Sequence, residues 1–77
     1  MEELLGSITL FAGNFAPNGF LPCNGQLLPI AQYSALYSIL GMTYGGDGKT
    51  TFALPKIAGI NGTMYIIAIV GIYPARP

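Results

Sequence analysis

The sequence predicts a small α+β domain, rich in β-structure, in which short strands and a hairpin form a sheet and one helix packs on it. Three observations predict this class. The chain has 77 residues, which is room for one hydrophobic core. Apolar segments suited to strands lie near both ends, and one internal segment has a helical apolar stripe. Asn-Gly pairs and glycine-rich stretches separate these segments. We therefore treat residues 1–77 as a single domain.

The first strand is predicted over Ser7–Ala12. Ile8, Leu10 and Phe11 are apolar, and small polar side chains alternate with the first two. Such alternation is typical of a strand with one buried face. We expect this strand and the C-terminal strand to lie at the centre of the domain.

A hairpin is predicted next. Asn24-Gly25 lies between Phe20–Cys23 and Gln26–Leu28, and an Asn-Gly pair between apolar segments favours a tight turn because both residues tolerate positive φ. Pro22 has no N–H to donate to a ladder, so we expect its strand to lie at a sheet edge.

The helix is predicted over Gln32–Leu40, with Gly41 as its C-terminal stop. Its apolar residues recur at helical spacing, and core packing explains this stripe better than an aromatic binding face does. The stripe consists of Tyr33, Leu36, Tyr37 and Leu40.

A glycine-rich loop follows at residues 44–49. Gly45, Gly46 and Gly48 supply backbone freedom, and we expect Asp47 to accept hydrogen bonds from neighbouring backbone N–H groups. The hypothesis is a structural loop. A phosphate-binding loop is rejected, because Thr43 occupies the position where that motif requires its first glycine. Residues 50–55 are predicted to be a short extended segment.

The last strand is predicted over Tyr65–Tyr73, within a ten-residue stretch that carries no charge. The segment is too short to cross a bilayer as a helix, and its branched side chains suit a strand buried on both faces. The short connection between Pro55 and Met64 must return the chain directly to the sheet.

Composition limits the partners. Only 8% of the residues are charged, 52% are hydrophobic and the formal net charge is zero. Lys49, Lys56 and Arg76 stand apart, so neither nucleic acid nor an anionic membrane surface is an expected partner, and no membrane insertion is expected. So few charges cannot cover a small globule, which favours a homo-oligomer. The predicted assembly residues are Ile8, Leu10, Phe11, Ile66, Ile67, Ile69, Val70 and Ile72.

Residues suited to chemistry are absent. The chain has no His and one Cys, so we expect no catalysis, no metal site and no cofactor. Cys23 is interpreted as a buried thiol in preference to a link between subunits. Glu2 and Glu3 are adjacent and would point to opposite faces of a strand. No cleavable signal peptide is expected. Asn61 begins a glycosylation pattern that is better explained as an Asn-Gly turn.

The chain closely resembles the bacteriophage tail collar domain family, which includes short tail fibres and bacterial microcystin-dependent proteins. The resemblance covers nearly the whole chain, and its most specific part is the YGGDG loop followed by TFALP. The residues that carry it are Gly6-Ser7-Ile8, Phe11, Gly13-Asn14-Phe15-Ala16-Pro17, Gly19-Phe20, Cys23-Asn24-Gly25-Gln26, Leu28, Leu36, Leu40-Gly41, Tyr44-Gly45-Gly46-Asp47-Gly48, Thr51-Phe52-Ala53-Leu54-Pro55, Tyr65-Ile66-Ile67-Ala68, Gly71-Ile72-Tyr73-Pro74 and Arg76.

The departures from the family pattern bear on function. Family members usually have Trp where Phe20 stands, and often Ser or Thr where Ala31 stands, so a helix cap is missing. Relatives carry a long, His-containing insert before the last strand, whereas only eight residues separate Pro55 from Met64 here. The family associates that distal part with receptor contact. Its absence favours a scaffold.

The resemblance and composition together imply a non-enzymatic structural subunit that self-assembles into a tail-fibre-like or filamentous oligomer, in a virion or extracellular fibre. Relatives that are fibres imply a trimer of this chain, whereas an open head-to-tail contact would give a helical filament. Other tail or fibre proteins are further expected partners. The alternative is a receptor- or carbohydrate-binding adhesin module at the tip of a phage tail or phage-derived fibre. In that case Phe15, Phe20 and Tyr44 are the candidate ligand contacts, because exposed aromatic rings can stack on sugars.

Overall fold

A computed structural model of the chain describes residues 3–74, so Glu2 and Arg76 lie outside the described range. Within this range, five strands form two antiparallel sheets, and the chain has one helix. This agrees with the predicted β-rich α+β class. The first sheet has the order β1-β5-β2, and the second consists of β3 and β4. The elements are β1 Ile8–Phe11, β2 Phe20–Pro22, β3 Leu27–Pro29, α1 Ser34–Leu40, β4 Thr51–Ala53 and β5 Met64–Ala68.

The central strand of the larger sheet is β5, as predicted for the C-terminal strand. Ile67 lies opposite Ile8 of β1 on one side and Leu21 of β2 on the other. Ile66, Ile67 and Ala68 are at most 2% exposed. A strand paired on both sides and covered on both faces requires the uninterrupted apolar sequence found here.

This strand is shorter than predicted. It ends at Ala68, and the chain bends at residues 69–71 before Ile72 pairs in parallel with Leu4. The Leu5 N–H donates to the Ile72 carbonyl at 2.8 Å, and the Ile72 N–H donates to the Glu3 carbonyl at 2.9 Å. Burial on both faces therefore stops at Ala68, because the residues beyond it exchange their sheet partners for the N-terminal segment.

The prediction that the N-terminal strand is central is wrong, because β1 is an edge strand of its sheet. The strand begins after a bulge. Gly6 has φ +84°, its N–H donates to the Ala68 carbonyl at 2.9 Å, and the Ala68 N–H donates to the Ser7 carbonyl at 3.0 Å. Gly6 and Ser7 together thus lie opposite the single residue Ala68, which is the arrangement of a glycine-containing β-bulge.

The predicted hairpin at Asn24-Gly25 is not formed. This turn instead connects β2 of one sheet to β3 of the other. The Asn24 side chain accepts from the Gln26 N–H at 3.1 Å, and Gly25 has φ +80°. The local turn geometry is as expected. However, β2 pairs with β5 and β3 pairs with β4, so long-range pairing overrides the local hairpin. Pro22 does lie at a sheet edge, as predicted.

The helix α1 begins two residues later than predicted. Tyr33 precedes it without a side-chain cap, and its own N–H donates to the Pro29 carbonyl in a preceding turn. The end is as predicted, because Gly41 adopts φ +59° and its N–H donates to the Tyr37 carbonyl at 2.7 Å.

The core lies between the helix and the two sheets. Phe52 and Ile67 are fully buried, and the Phe52 ring packs on Tyr37 with centroids 5.4 Å apart. The helical stripe packs on this core, so its interpretation as core is confirmed. Cys23 is 4% exposed, as predicted, and burial raises the pKa of its thiol. The buried cluster consists of Leu5, Cys23, Leu28, Leu36, Phe52, Leu54 and Ile67.

Candidate functional site

The glycine-rich loop is organised by one carboxylate. Asp47 Oδ1 accepts hydrogen bonds from the backbone N–H groups of Lys49, Thr50 and Thr51 at 2.8, 2.9 and 3.0 Å. Its Oδ2 accepts from the Thr50 hydroxyl at 3.0 Å. These donors favour the charged carboxylate and hold the pKa of Asp47 well below its usual range. The carboxylate is exposed to solvent but is occupied by its own loop.

Gly46 permits the loop to lie against β4. It has φ +97°, and a Cβ placed there would lie 2.7 Å from the Thr51 carbonyl oxygen and closer still to the Phe52 backbone. Any side chain at Gly46 would therefore meet backbone atoms that cannot move aside. The loop is closed at its far side by the Gly48 N–H, which donates to the Thr51 carbonyl at 3.0 Å. These contacts are consistent with a structural loop, and that role stays a prediction.

A groove of about 440 Å³ lies where the N-terminal segment meets the chain after β5. Its lining includes Phe20, Glu3 and Asn18, which carry an aromatic ring, a carboxylate and an amide. Gly71 allows this close approach, since a Cβ there would collide with the Glu3 carbonyl. The remaining lining residues are Gly19, Val70 and Ile72. Nothing in the sequence indicates this groove, because the pairing of residues 3–5 with Ile72 has no local signal.

Large apolar side chains remain on the surface. Within residues 3–74, the exposed ones lie in β1, in β3, in residues 70–73 and in the loops around the sheets, and their exposure ranges from 37% to 65%. They are Leu4, Ile8, Leu10, Phe15, Leu27, Met42, Tyr44, Ile57, Ile60, Val70, Ile72 and Tyr73. The Tyr73 hydroxyl forms a hydrogen bond with Ser38 Oγ of α1, and the two oxygen atoms are 2.6 Å apart.

The predicted assembly residues divide into two groups. Ile8, Leu10, Val70 and Ile72 are exposed, while Phe11 and Ile69 are half-buried. Ile66 and Ile67 are buried inside the monomer, at 2% and 0% exposure. These two residues cannot face another subunit while the fold is intact, so their prediction as assembly residues is wrong. The central strand builds the core, and the accessible residues lie on β1 and after β5.

The three aromatic candidates for ligand contact differ in exposure and in their surroundings. Phe15 is 65% exposed and packs edge-to-face on Phe11, with ring centroids 6.4 Å apart. Phe20 is half-buried in the groove, and Tyr44 is 48% exposed beside the glycine-rich loop. No aromatic pair joins any two of the three in the part of the chain that the structure describes.

Residues 3–74 contain no cluster of three or more His, Cys, Asp or Glu side chains that could hold a metal ion. In the same range, no helix has the length and apolar character needed to span a bilayer.

Comparison with known proteins gives one result. A family model described as the phage tail collar domain matches residues 6–60, which include β1 to β4, α1 and the glycine-rich loop. The match ends before β5. No curated protein and no solved structure matches the chain significantly.

Proposed function

Because this chain belongs to the phage tail collar domain family, we propose that it is a non-enzymatic structural subunit that assembles with further copies of itself into a tail-fibre-like or filamentous oligomer. The family supports a structural role in a phage tail fibre and an association with the virion. Self-assembly is the step that the proposal adds. Other tail or fibre proteins are its remaining proposed partners, and a virion or an extracellular fibre is its proposed location.

The observation that carries self-assembly is the combination of exposed apolar residues with very few charges. The chain has three basic and three acidic residues, and its formal net charge is zero. Electrostatic repulsion between copies is therefore minimal. Each 100 Å² of apolar surface removed from water contributes about 2.5 kcal/mol. Part of that gain offsets the freedom lost on association, and the rest stabilises the oligomer.

The experiment that tests self-assembly is a measurement of mass and shape. Purified chain is examined by sedimentation velocity and by negative-stain electron microscopy at micromolar concentration. We expect one regular particle or a filament with a constant repeat. A stable, monodisperse 8.1 kDa monomer would overturn the proposal, and so would irregular aggregate without a repeat.

The groove favours a second candidate function, an adhesin module that binds a receptor or carbohydrate. Phe20 offers a ring for stacking on a sugar face, and Glu3 and Asn18 offer hydrogen-bonding groups for hydroxyls. Saturation-transfer NMR with a panel of soluble glycans tests it. Transfer to a glycan that is lost in Phe20→Ala and kept in Phe15→Ala would support this function. Absence of transfer across the panel would count against it.

A further inference from the structure

The two edges of the larger sheet differ in their free hydrogen-bonding groups. The outer edge of β2 is largely closed. The Phe20 N–H donates to the Pro17 carbonyl at 3.0 Å, Pro22 has no N–H, and the Pro22 carbonyl accepts from the Asn24 N–H at 2.9 Å. An edge protected in this way is a poor template for another strand.

The outer edge of β1 is open. The peptide groups of Ala68 point toward β1, as its bond with Ser7 shows, and antiparallel ladders alternate between bonded and non-bonded pairs. The next bonded pair is therefore Thr9 with Ile66, so Ile8 and Leu10 direct their N–H and C=O groups away from β5. No hydrogen bond from outside the sheet reaches these two residues within residues 3–74.

The open edge carries nothing that would repel a strand. Residues 8–11 contain neither a charged residue nor Pro, and Ile8 and Leu10 are 40% and 42% exposed. Thr9, whose side chain lies on the opposite face, is also exposed. Both faces of β1 are thus accessible at Ile8, Thr9 and Leu10.

We propose that β1 pairs antiparallel with β1 of a second copy across a two-fold axis at Thr9, which joins the two sheets into one. In this register Ile8 of each copy opposes Leu10 of the other. Both residues present outward N–H and C=O groups, so the pair of strands forms four hydrogen bonds. Thr9 faces its own counterpart at the axis, and a Thr–Thr pair is favourable at such a position.

A second copy is the occupant that this edge fits best, because the edge is complementary to itself. Every outward donor meets an acceptor when the strand is rotated by 180°, and the neighbouring side chains then form apolar Ile–Leu pairs on one face. A head-to-tail contact would instead require the β2 edge, which is closed. The geometry thus favours a two-fold pair over a trimer, and a filament would need a second, separate contact.

This inference rests on the proposed self-assembly and specifies its contact, and disulfide trapping tests the register. At the axis, the two Thr9 Cα atoms of a non-hydrogen-bonded pair lie about 4.5 Å apart, which a disulfide can bridge. The two Ile8 residues are diagonal neighbours about 7–8 Å apart, and so are the two Leu10 residues. The variants are Thr9→Cys, Ile8→Cys and Leu10→Cys, with the unmodified chain as control because its Cys23 is buried.

Under mild oxidation, we expect Thr9→Cys to form a covalent dimer at least about tenfold faster than Ile8→Cys or Leu10→Cys, since Cα atoms more than about 7 Å apart cannot be bridged without backbone movement. The control chain should stay unlinked. Equal rates for the three variants would overturn the register, and failure of Thr9→Cys to cross-link under conditions where the unmodified chain assembles would overturn the contact.

A charge at the axis gives an independent test. Thr9→Lys places two like charges opposite each other, and its exposed side chain leaves the monomer intact. Thr43→Lys is the matched control, because Thr43 is also exposed and lies in a loop after α1. We expect circular dichroism and melting temperature to be unchanged in both, with the dimeric mass lost only in Thr9→Lys.

The outcomes separate this inference from the proposed function. If Thr9→Lys assembles as the unmodified chain does, assembly stands and the β1 contact is wrong. If the unmodified chain is monomeric at all concentrations, self-assembly is wrong, and the β1 contact is wrong with it.

Discussion

Two exposed segments of this protein differ in whether their backbone hydrogen-bonding groups have partners. In the glycine-rich loop, Asp47 accepts from three successive N–H groups, so the loop satisfies its own donors. In β1, the outward N–H and C=O groups of Ile8 and Leu10 have no partner within the described chain. Both segments lie within the residues that match the collar family.

The contrast shows that solvent exposure alone does not identify a contact surface. A loop whose donors are occupied by a carboxylate has little to offer a partner, whereas an apolar strand edge with free donors and acceptors does. We therefore expect changes in the loop to act on folding and changes on β1 to act on assembly. The predictions below test this division, from the largest expected effect on folding to the smallest.

The largest effect is expected for Gly46→Ala. The new Cβ would meet the backbone of Thr51 and Phe52, and φ +97° is unfavourable for any residue with a side chain. Backbone strain of this kind costs about 1–3 kcal/mol, and the collision adds to it. We expect a large loss of unfolding free energy in urea denaturation, or no folded protein.

Gly62→Ala is the matched control for this change. Gly62 has a comparable φ of +80°, but a Cβ there would meet no atom within 4 Å. The unfolding free energy of Gly62→Ala should fall by about 1–2 kcal/mol, because alanine is unfavourable in the left-handed conformation. Equal losses in the two variants would show that the glycine-rich loop is not packed against β4 as described.

A smaller effect is expected for Asp47→Ala, which removes the acceptor of three backbone donors. The melting temperature should fall by several degrees, since the donors are exposed and water replaces the carboxylate in part. Asp47→Asn keeps an oxygen acceptor, so its melting temperature should fall less. Neither change should alter the oligomeric mass at a temperature where the variant is folded. Lost assembly without lost stability would place Asp47 in the interface.

The pH dependence of the same residue has a defined sign. The pKa of Asp47 is lowered in the folded state, so its contribution to stability is fully present above the unfolded-state value of about 3.9. That contribution is lost as pH falls below about 4 toward the folded-state pKa. We expect the difference in melting temperature between the unmodified chain and Asp47→Asn to be constant from pH 5 to 7 and to shrink below pH 4. A difference that persists unchanged at pH 2.5 would contradict the described hydrogen bonds.

The sequence predicted local features better than long-range pairing. The helix stripe, the stop at Gly41 and the extended segment before Pro55 were predicted, because periodicity and turn residues determine them locally. The hairpin at Asn24-Gly25 and the central position of the N-terminal strand were wrong, because each depends on which distant strand completes the sheet. The groove was missed for the same reason: Glu3 and Gly71 are brought together only by the return of the chain.

The smallest effect on folding, with a full effect on assembly, is expected for Leu10→Pro. The Leu10 N–H points away from β5, so proline removes no bond of the β1–β5 ladder, and the outer edge of a sheet tolerates it. The loss of unfolding free energy should stay below about 1 kcal/mol, because the side chain is 42% exposed. The dimeric mass should disappear, since one donor of each strand is removed at the proposed contact and the ring blocks the approach of a second strand.

Thr9→Pro is the neighbouring control. Its N–H points toward Ile66, which is 2% exposed, so this variant leaves a buried carbonyl unpaired at a cost of about 1–3 kcal/mol. Urea denaturation of the two variants side by side therefore reports which peptide groups of β1 face outward. If Leu10→Pro is the more destabilised of the two, the alternation along β1 is reversed, and the register proposed for the two-fold pair is wrong with it.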